Sequence, residues 1–316
     1  MSAGMGTATV VACLVIVAFA VAGPRLARRL PPAAATRVVV PASLVVAATG
    51  VWVLGAVAFT WVAQLGPVSR YGQWSAEQLR DDSPIPRVIA IGATVLAVLS
   101  VGRAAACGTR RLRLLLAVRQ SCRGVGVPGS LVVLDNDRPD AFATPGARGR
   151  IVVTRGLLRA LNADERRALL AHETAHLAHR HACWLLVAEL AAAANPMLTP
   201  TARAVRHTVE RWADEDAARA VADRRLVART LARTALLIRA APVAGVPLPA
   251  VGGDVPGRVR ALLEPPPRQR VAPLFVLVAL LVVATMAAGT VQRRGDELLD
   301  HAGTGNPAVS HHRPGH

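Results

Sequence analysis

His172-Glu173-Thr174-Ala175-His176 is an H-E-x-x-H pentapeptide, a spacing whose chemistry depends on the backbone beneath it. On a helix, residues i and i+4 stack on one face, so both imidazoles can reach one ion. Glu173 then lies beside that ion, placed to take a proton from an attacking water rather than to bind metal. The helix has independent support. Asn162 is a good N-cap, Glu165 three residues on completes a capping-box pair, and 163–181 contains no Gly or Pro. Polar residues on a solvated helix face are the competing reading of the pentapeptide.

A single-zinc peptidase site takes three protein ligands and leaves a position open. Downstream, Val209-Glu210-Arg211-Trp212-Ala213-Asp214 lies in a second stretch without Gly or Pro, 201–239, also expected to be helical. Glu210 is the expected third ligand. Asp214, one turn on, shares its face and is placed to accept a hydrogen bond from the second ring nitrogen of a ligand histidine, or else to pair with an arginine on the helix surface.

With H-E-x-x-H, the later E-x-x-A-D and apolar spans on both sides, the chain resembles the membrane-embedded gluzincins, namely the BlaR/MecR antibiotic-sensor group and, more distantly, the HtpX and CAAX-prenyl-protease group. Three spans before the motif, Asn195-Pro196 between the two helices and Pro139-Asp140-Ala141-Phe142-Ala143 upstream place it nearer the first. The resemblance covers roughly 110–240. Asp140 stands where both groups usually have asparagine, and no sensor domain follows the last span. The resemblance implies zinc-dependent cleavage of a protein at the cytoplasmic face, with a regulatory substrate such as a transcriptional repressor.

Such a site needs a scaffold, and composition says what kind. Over 316 residues, 53% are hydrophobic and mean hydropathy is +0.38, the profile of a membrane protein with a modest soluble part. The organisation read from it is three spans within 1–107 (about 7–23, 38–65 and 85–106), a zinc peptidase domain at 108–270, a fourth span at 271–292, and a disordered exterior tail at 293–316. A cleaved signal peptide is the alternative for the first run, but arginines follow that run rather than precede it. Arg25, Arg28, Arg29 and Arg37 after span one, and Arg103, Arg110, Arg111 and Arg113 around the end of span three, put the zinc domain in the cytoplasm. The fold class is therefore mainly α: a multi-pass cell-membrane protein carrying a small α+β, gluzincin-like domain between spans three and four.

The run 183–198 is apolar, yet a single crossing there would separate His172 from Glu210. It is expected to be buried in the domain, or to dip into the bilayer and turn back at Asn195-Pro196. Net charge is +17 with 3% aromatics and no zinc-finger cysteine pairs, so anionic lipid headgroups are the expected partner and direct nucleic-acid binding is not. Every basic residue is arginine, which suggests a bacterium with a GC-rich genome. The four cysteines show no paired spacing and are expected to be reduced thiols.

Strands are expected at 131–134, 141–144 and 150–154, with 145–149 as a turn. In the resembled families such a strand flanks the cleft, which makes Phe142 and Ala143 candidates for pairing with an extended substrate; a hairpin packed on the motif helix would read the same way. His207, one turn before Glu210, is a candidate for facing the oxyanion, although a lone histidine on a helix of arginines is more often simply solvated. His179 and His181 are expected to be spectators, since Glu210 already completes the ligand set. Stretches 242–256 and 264–267 read as linkers. The reading is a zinc endopeptidase with one zinc per chain on His172, His176 and Glu210, and Glu173 as base. The alternatives are a quality-control protease of membrane proteins and a non-catalytic signalling protein that uses its zinc domain to bind a partner.

Overall fold

The computed structural model describes residues 2–72, 74–81, 85–121, 131–144, 149–240, 254–265 and 272–304. Among the described residues, three helices are long and apolar enough to cross a membrane: α1 (Ser2–Arg29), α2 (Pro32–Val62) and α5 (Arg87–Ser121). Two short helices, α3 (Gly66–Gly72) and α4 (Ala76–Asp81), link α2 to α5. The expected fourth span lies in α12 (Ala272–Thr304), which packs on α1 and α2. The helix runs past the apolar stretch into the expected tail because Gln292–Asp296 and Arg294–Glu297 side-chain pairs carry its next turns. The remainder of that tail, and the turn expected at 145–149 for the most part, lie outside the described residues.

The small sheet has the order β1-β3-β2, with β1 (Leu131–Leu134) parallel to β3 (Ile151–Thr154) and β2 (Ala141–Ala143) antiparallel to it. β2 is thus an edge strand. Thr154 ends β3 and caps α6 (Arg155–Ala160), and Asn162 with Glu165 forms the full capping box that starts α7 (Ala163–Ala178), both hydrogen bonds measuring 2.9 Å. α7 is shorter than expected. It stops at Ala178, and Arg180 turns the chain in the left-handed region at φ 51°, so His181 opens a new helix, α8 (His181–Ala194).

The apolar run after the motif does not cross the bundle. α8 ends at Asn195, whose side chain accepts from the Met197 backbone N–H, a single 3-10 turn follows (Pro196–Leu198), and α9 (Thr199–Val221) runs back alongside. This hairpin is wedged among α1, α2 and α5: Phe19, Val39, Val46, Ala188, Ala191, Leu198, Val205 and Val209 share one core. A Cβ at Gly23 would meet Thr201 Oγ1 at 2.7 Å, so α1 and α9 approach only where the side chain is missing. Asn195 lies level with Ile16 and Gly50. That is about 20 Å from the Arg29 end of α1 at 1.5 Å per residue, so the apex sits near the middle of the bundle.

The second long helix expected from the sequence is also broken. Ala222 adopts φ 56°, and Asp223 accepts from the Leu226 N–H to start α10 (Arg224–Ala240). A non-glycine residue in this region costs roughly 1–2 kcal/mol, so neither break announces itself as a helix stop. Between the two expected linkers lies α11 (Val255–Leu263), capped by Asp254 and packed on α10 and α9. Arg224 from α10 binds the carbonyls of Ala261 and Leu262 and so fixes the far end of α11.

Candidate metal centre

α7 and α9 pack side by side and bring the first three donors together. His172 Nε2 and His176 Nε2 are 3.2 Å apart; Glu210 Oε2 is 3.7 Å from the first and Glu210 Oε1 is 3.8 Å from the second. Two ligands on a tetrahedral zinc at about 2.0–2.1 Å are separated by about 3.3 Å, so these donors fit one ion with little movement. Two imidazoles and one carboxylate are also the donor set of catalytic rather than structural zinc. Glu173 is 8% exposed and faces the same cleft. Burial, with the nearby Glu210 and Asp140 charges, pushes its carboxyl above the ordinary range.

Behind the donors are groups of two kinds. His172 Nδ1 lies 3.1 Å from Asp214 Oδ1. Asp214 is in turn held by Arg258 of α11, at 2.7 Å through Nε and 2.6 Å through Nη2, and Arg258 Nη1 reaches Glu210 Oε2 at 3.0 Å. Both residues are buried. Burial would raise Asp214 and Glu210, but the Arg258 and His172 partners outweigh it, lowering Asp214 and holding Glu210 well below its usual range. His172 is treated oppositely: burial pulls it down, yet Asp214 and Glu210 carry it up to about 10. His176 lacks a close carboxylate at Nδ1, and burial with the His172 charge lowers it to about 4.

His176 Nδ1 instead meets His181 Nδ1 at 2.9 Å. His181 is 1% exposed, because the break at Arg180 swings it inward. His179 pairs with Asp216 and stacks on Trp212 at 4.4 Å. His207 takes the solvated alternative. It lies on the exposed side of α9 and does not line the cleft, because the helix turns its face away from Glu210. Arg258 escaped the sequence reading altogether. Its signal was slight: an Asp254-Val-Pro start to a short helix within a stretch read as linker.

The donors open onto a cavity of about 480 Å³. Asp140 to Thr144, including Phe142 and Ala143, form one wall, α10 supplies Val227, Leu231 and Ile238 opposite, and Cys183 and Leu185 from the first turns of α8 line the side nearest the bundle. Asp140, whose carboxyl burial raises above its usual range, faces the cavity as well.

Residues 113–194 match the model of peptidase family M48. The match contains His172, Glu173 and His176 and stops before Glu210. The chain is 46% identical over 76 residues to a protease HtpX homolog of Aeropyrum pernix, 23% of this chain and 24% of the relative. It is 38% identical over 90 residues to a protease HtpX homolog of Acidiphilium cryptum (28% and 31%) and 39% identical over 69 residues to protease HtpX of Idiomarina loihiensis (21% and 24%). The matched stretch spans about a quarter to a third of the length of these relatives. No solved structure matches the chain. These likenesses fall on the HtpX side of the resemblance, the side the sequence reading ranked as more distant.

Proposed function

We propose that this chain is an integral-membrane zinc endopeptidase, and the observation that carries the reading is the tetrahedral fit of His172, His176 and Glu210 with buried Glu173 beside them. Zinc bound there would polarise the scissile carbonyl and make water more acidic. Glu173 takes the proton of the attacking water and delivers it to the leaving amine, a double use that its raised pKa suits. Asp214 orients His172 by accepting from Nδ1–H, while Arg258 neutralises buried Asp214 and half-buried Glu210 beside the ion. β2 offers its free edge to an extended substrate backbone, with Phe142 and Ala143 at the contact.

The cleft runs up to the point where α8 enters the bundle, which favours substrates presented at the membrane surface, including damaged membrane proteins. Cleavage of a soluble repressor rests on the BlaR/MecR resemblance alone. The arginine-rich ends of α1 and α5 lie at the same end of the bundle as the site: Thr208 bonds to the Ala27 carbonyl, and Arg111 and Arg206 both pair with Glu189. By the positive-inside rule this end is cytoplasmic.

Purified full-length protein in lipid nanodiscs should hold one zinc, lost in His172→Ala, His176→Ala and Glu210→Ala. Glu173→Gln should keep the zinc and lose hydrolysis of a membrane-anchored peptide by about a hundredfold or more. A Glu173→Gln protein that cleaves normally would sink the reading. Cleavage of the same peptide only when freed from its anchor would turn the substrate assignment toward soluble proteins. Single cysteines at Ser75 and Arg206, in a background without other cysteines, should label from outside the cell at Ser75 alone; the reverse would invert the topology.

A further inference from the structure

His181 is a residue for which packing alone gives no sufficient reason. It is buried against Trp212 at 4.9 Å and His179 at 5.6 Å, a place where phenylalanine would pack as well. Its Nε2 is buried and has no hydrogen-bond partner among the described residues. Leaving such a group unpaired costs roughly 1–3 kcal/mol, so something about the other nitrogen must offset the loss. That nitrogen, Nδ1, lies 2.9 Å from Nδ1 of His176, with the rings set edge to face at 85°.

The donor count fixes the direction of this bond. His176 turns Nε2 toward His172 and Glu210, so in a zinc-loaded site that lone pair is committed and its proton sits on Nδ1. Nδ1–H needs an acceptor, and the hydrogen-bond partner at that position is the Nδ1 lone pair of His181. His181 therefore carries its own proton on Nε2, which is the atom found without a partner.

We propose that His181 is a positioning residue for the metal centre, fixing the tautomer and ring direction of His176 by accepting a hydrogen bond from its Nδ1. It does for the second histidine, as a neutral imidazole, what the Asp214 carboxylate does for the first. The stack behind it keeps it there: Trp212 lies against both His179 and His181, and the Arg37 guanidinium of α2 covers the indole at 4.7 Å. This inference rests on the proposed zinc site.

The test is the zinc dissociation constant of the full chain in nanodiscs, measured by competition with a chromophoric chelator. His181→Phe keeps ring and volume but removes the acceptor, and should weaken zinc by about 10–100-fold. His181→Asn places an amide oxygen where Nδ1 was, and should bind within roughly threefold of the parent protein. Equal zinc affinity in His181→Phe and the parent overturns the proposal, and so does an equal loss in the Phe and Asn variants. Should His181→Phe fail to fold, His181→Leu replaces it. Leu branches at Cγ as Asn does but has no acceptor, so rescue by Asn relative to Leu supports the proposal and equal weakening overturns it. A parent chain that takes up no zinc would instead overturn the proposed function, and that titration comes first.

Discussion

The two histidines of the motif sit one turn apart on one helix, yet the protein braces them by unlike means. Behind His172 stand full charges, Asp214 and the Arg258 guanidinium, drawn from α9 and α11. Behind His176 stands a column of rings, His181, Trp212 and His179, closed by Arg37 from the membrane bundle. The difference teaches where each brace is vulnerable. A charged brace in a buried place depends on every member being present, because one removal leaves an uncompensated ion. A column of rings loses contacts piecemeal.

The sharpest way to break the comparison is at its charged side. Arg258→Met leaves buried Asp214 and half-buried Glu210 with His172 as their one close cation, and should lower the stability of the zinc-free protein by about 3 kcal/mol in chemical denaturation. A change under about 1 kcal/mol would mean that the guanidinium is not what holds that side. Next in size is the response to pH. In the zinc-free protein His172 keeps its proton up to about 10, whereas His176 gives its proton up at about 4. Near neutral pH, zinc must therefore expel one proton, and from the charged side. Between those two values affinity should tighten about tenfold for each unit that pH rises, ~1.4 kcal/mol each. Calorimetry in two buffers of different ionisation enthalpy should count about one proton released; none released would show His172 already neutral.

On the ring side the expected effects shrink. Arg37→Ala removes a guanidinium from the exposed end of the column and should cost about 0.5–1 kcal/mol in the same denaturation measurement, with zinc affinity little changed. A loss as large as that of Arg258→Met would erase the contrast between the two braces. Smallest of all, His207→Ala, on the exposed face of α9, should alter stability by no more than about 0.5 kcal/mol and leave peptide hydrolysis intact.

What could be read in advance follows the same division. The motif helix and its capping box, the strands and the placing of Glu210 and Asp214 within one turn are local patterns, and they were legible. Arg258 was not, because it comes 44 positions after its partner and is one of 37 basic residues that look alike in a list. His181 was misjudged for a backbone reason: continuing α7 as a regular helix points it away from the ion, and the turn at Arg180 that brings it back uses a residue without the usual glycine signature. The same holds for the break at Ala222, although Asp223 beside it is a good cap that propensity alone could have flagged.

The hairpin of α8 and α9 also sets an order of events at the birth of the protein. His172 and His176 stand on α7 as soon as that helix forms, but Glu210 and Asp214 ride on the returning arm, whose partners are α1 and α2. On the proposed reading, a chain still being threaded into the bilayer holds two of its three ligands and cannot yet cut anything, itself included. Hydrolytic competence is then a certificate that the hairpin has docked on the first spans. It should vanish when the hairpin is prised from the bundle, even while α7 stays folded.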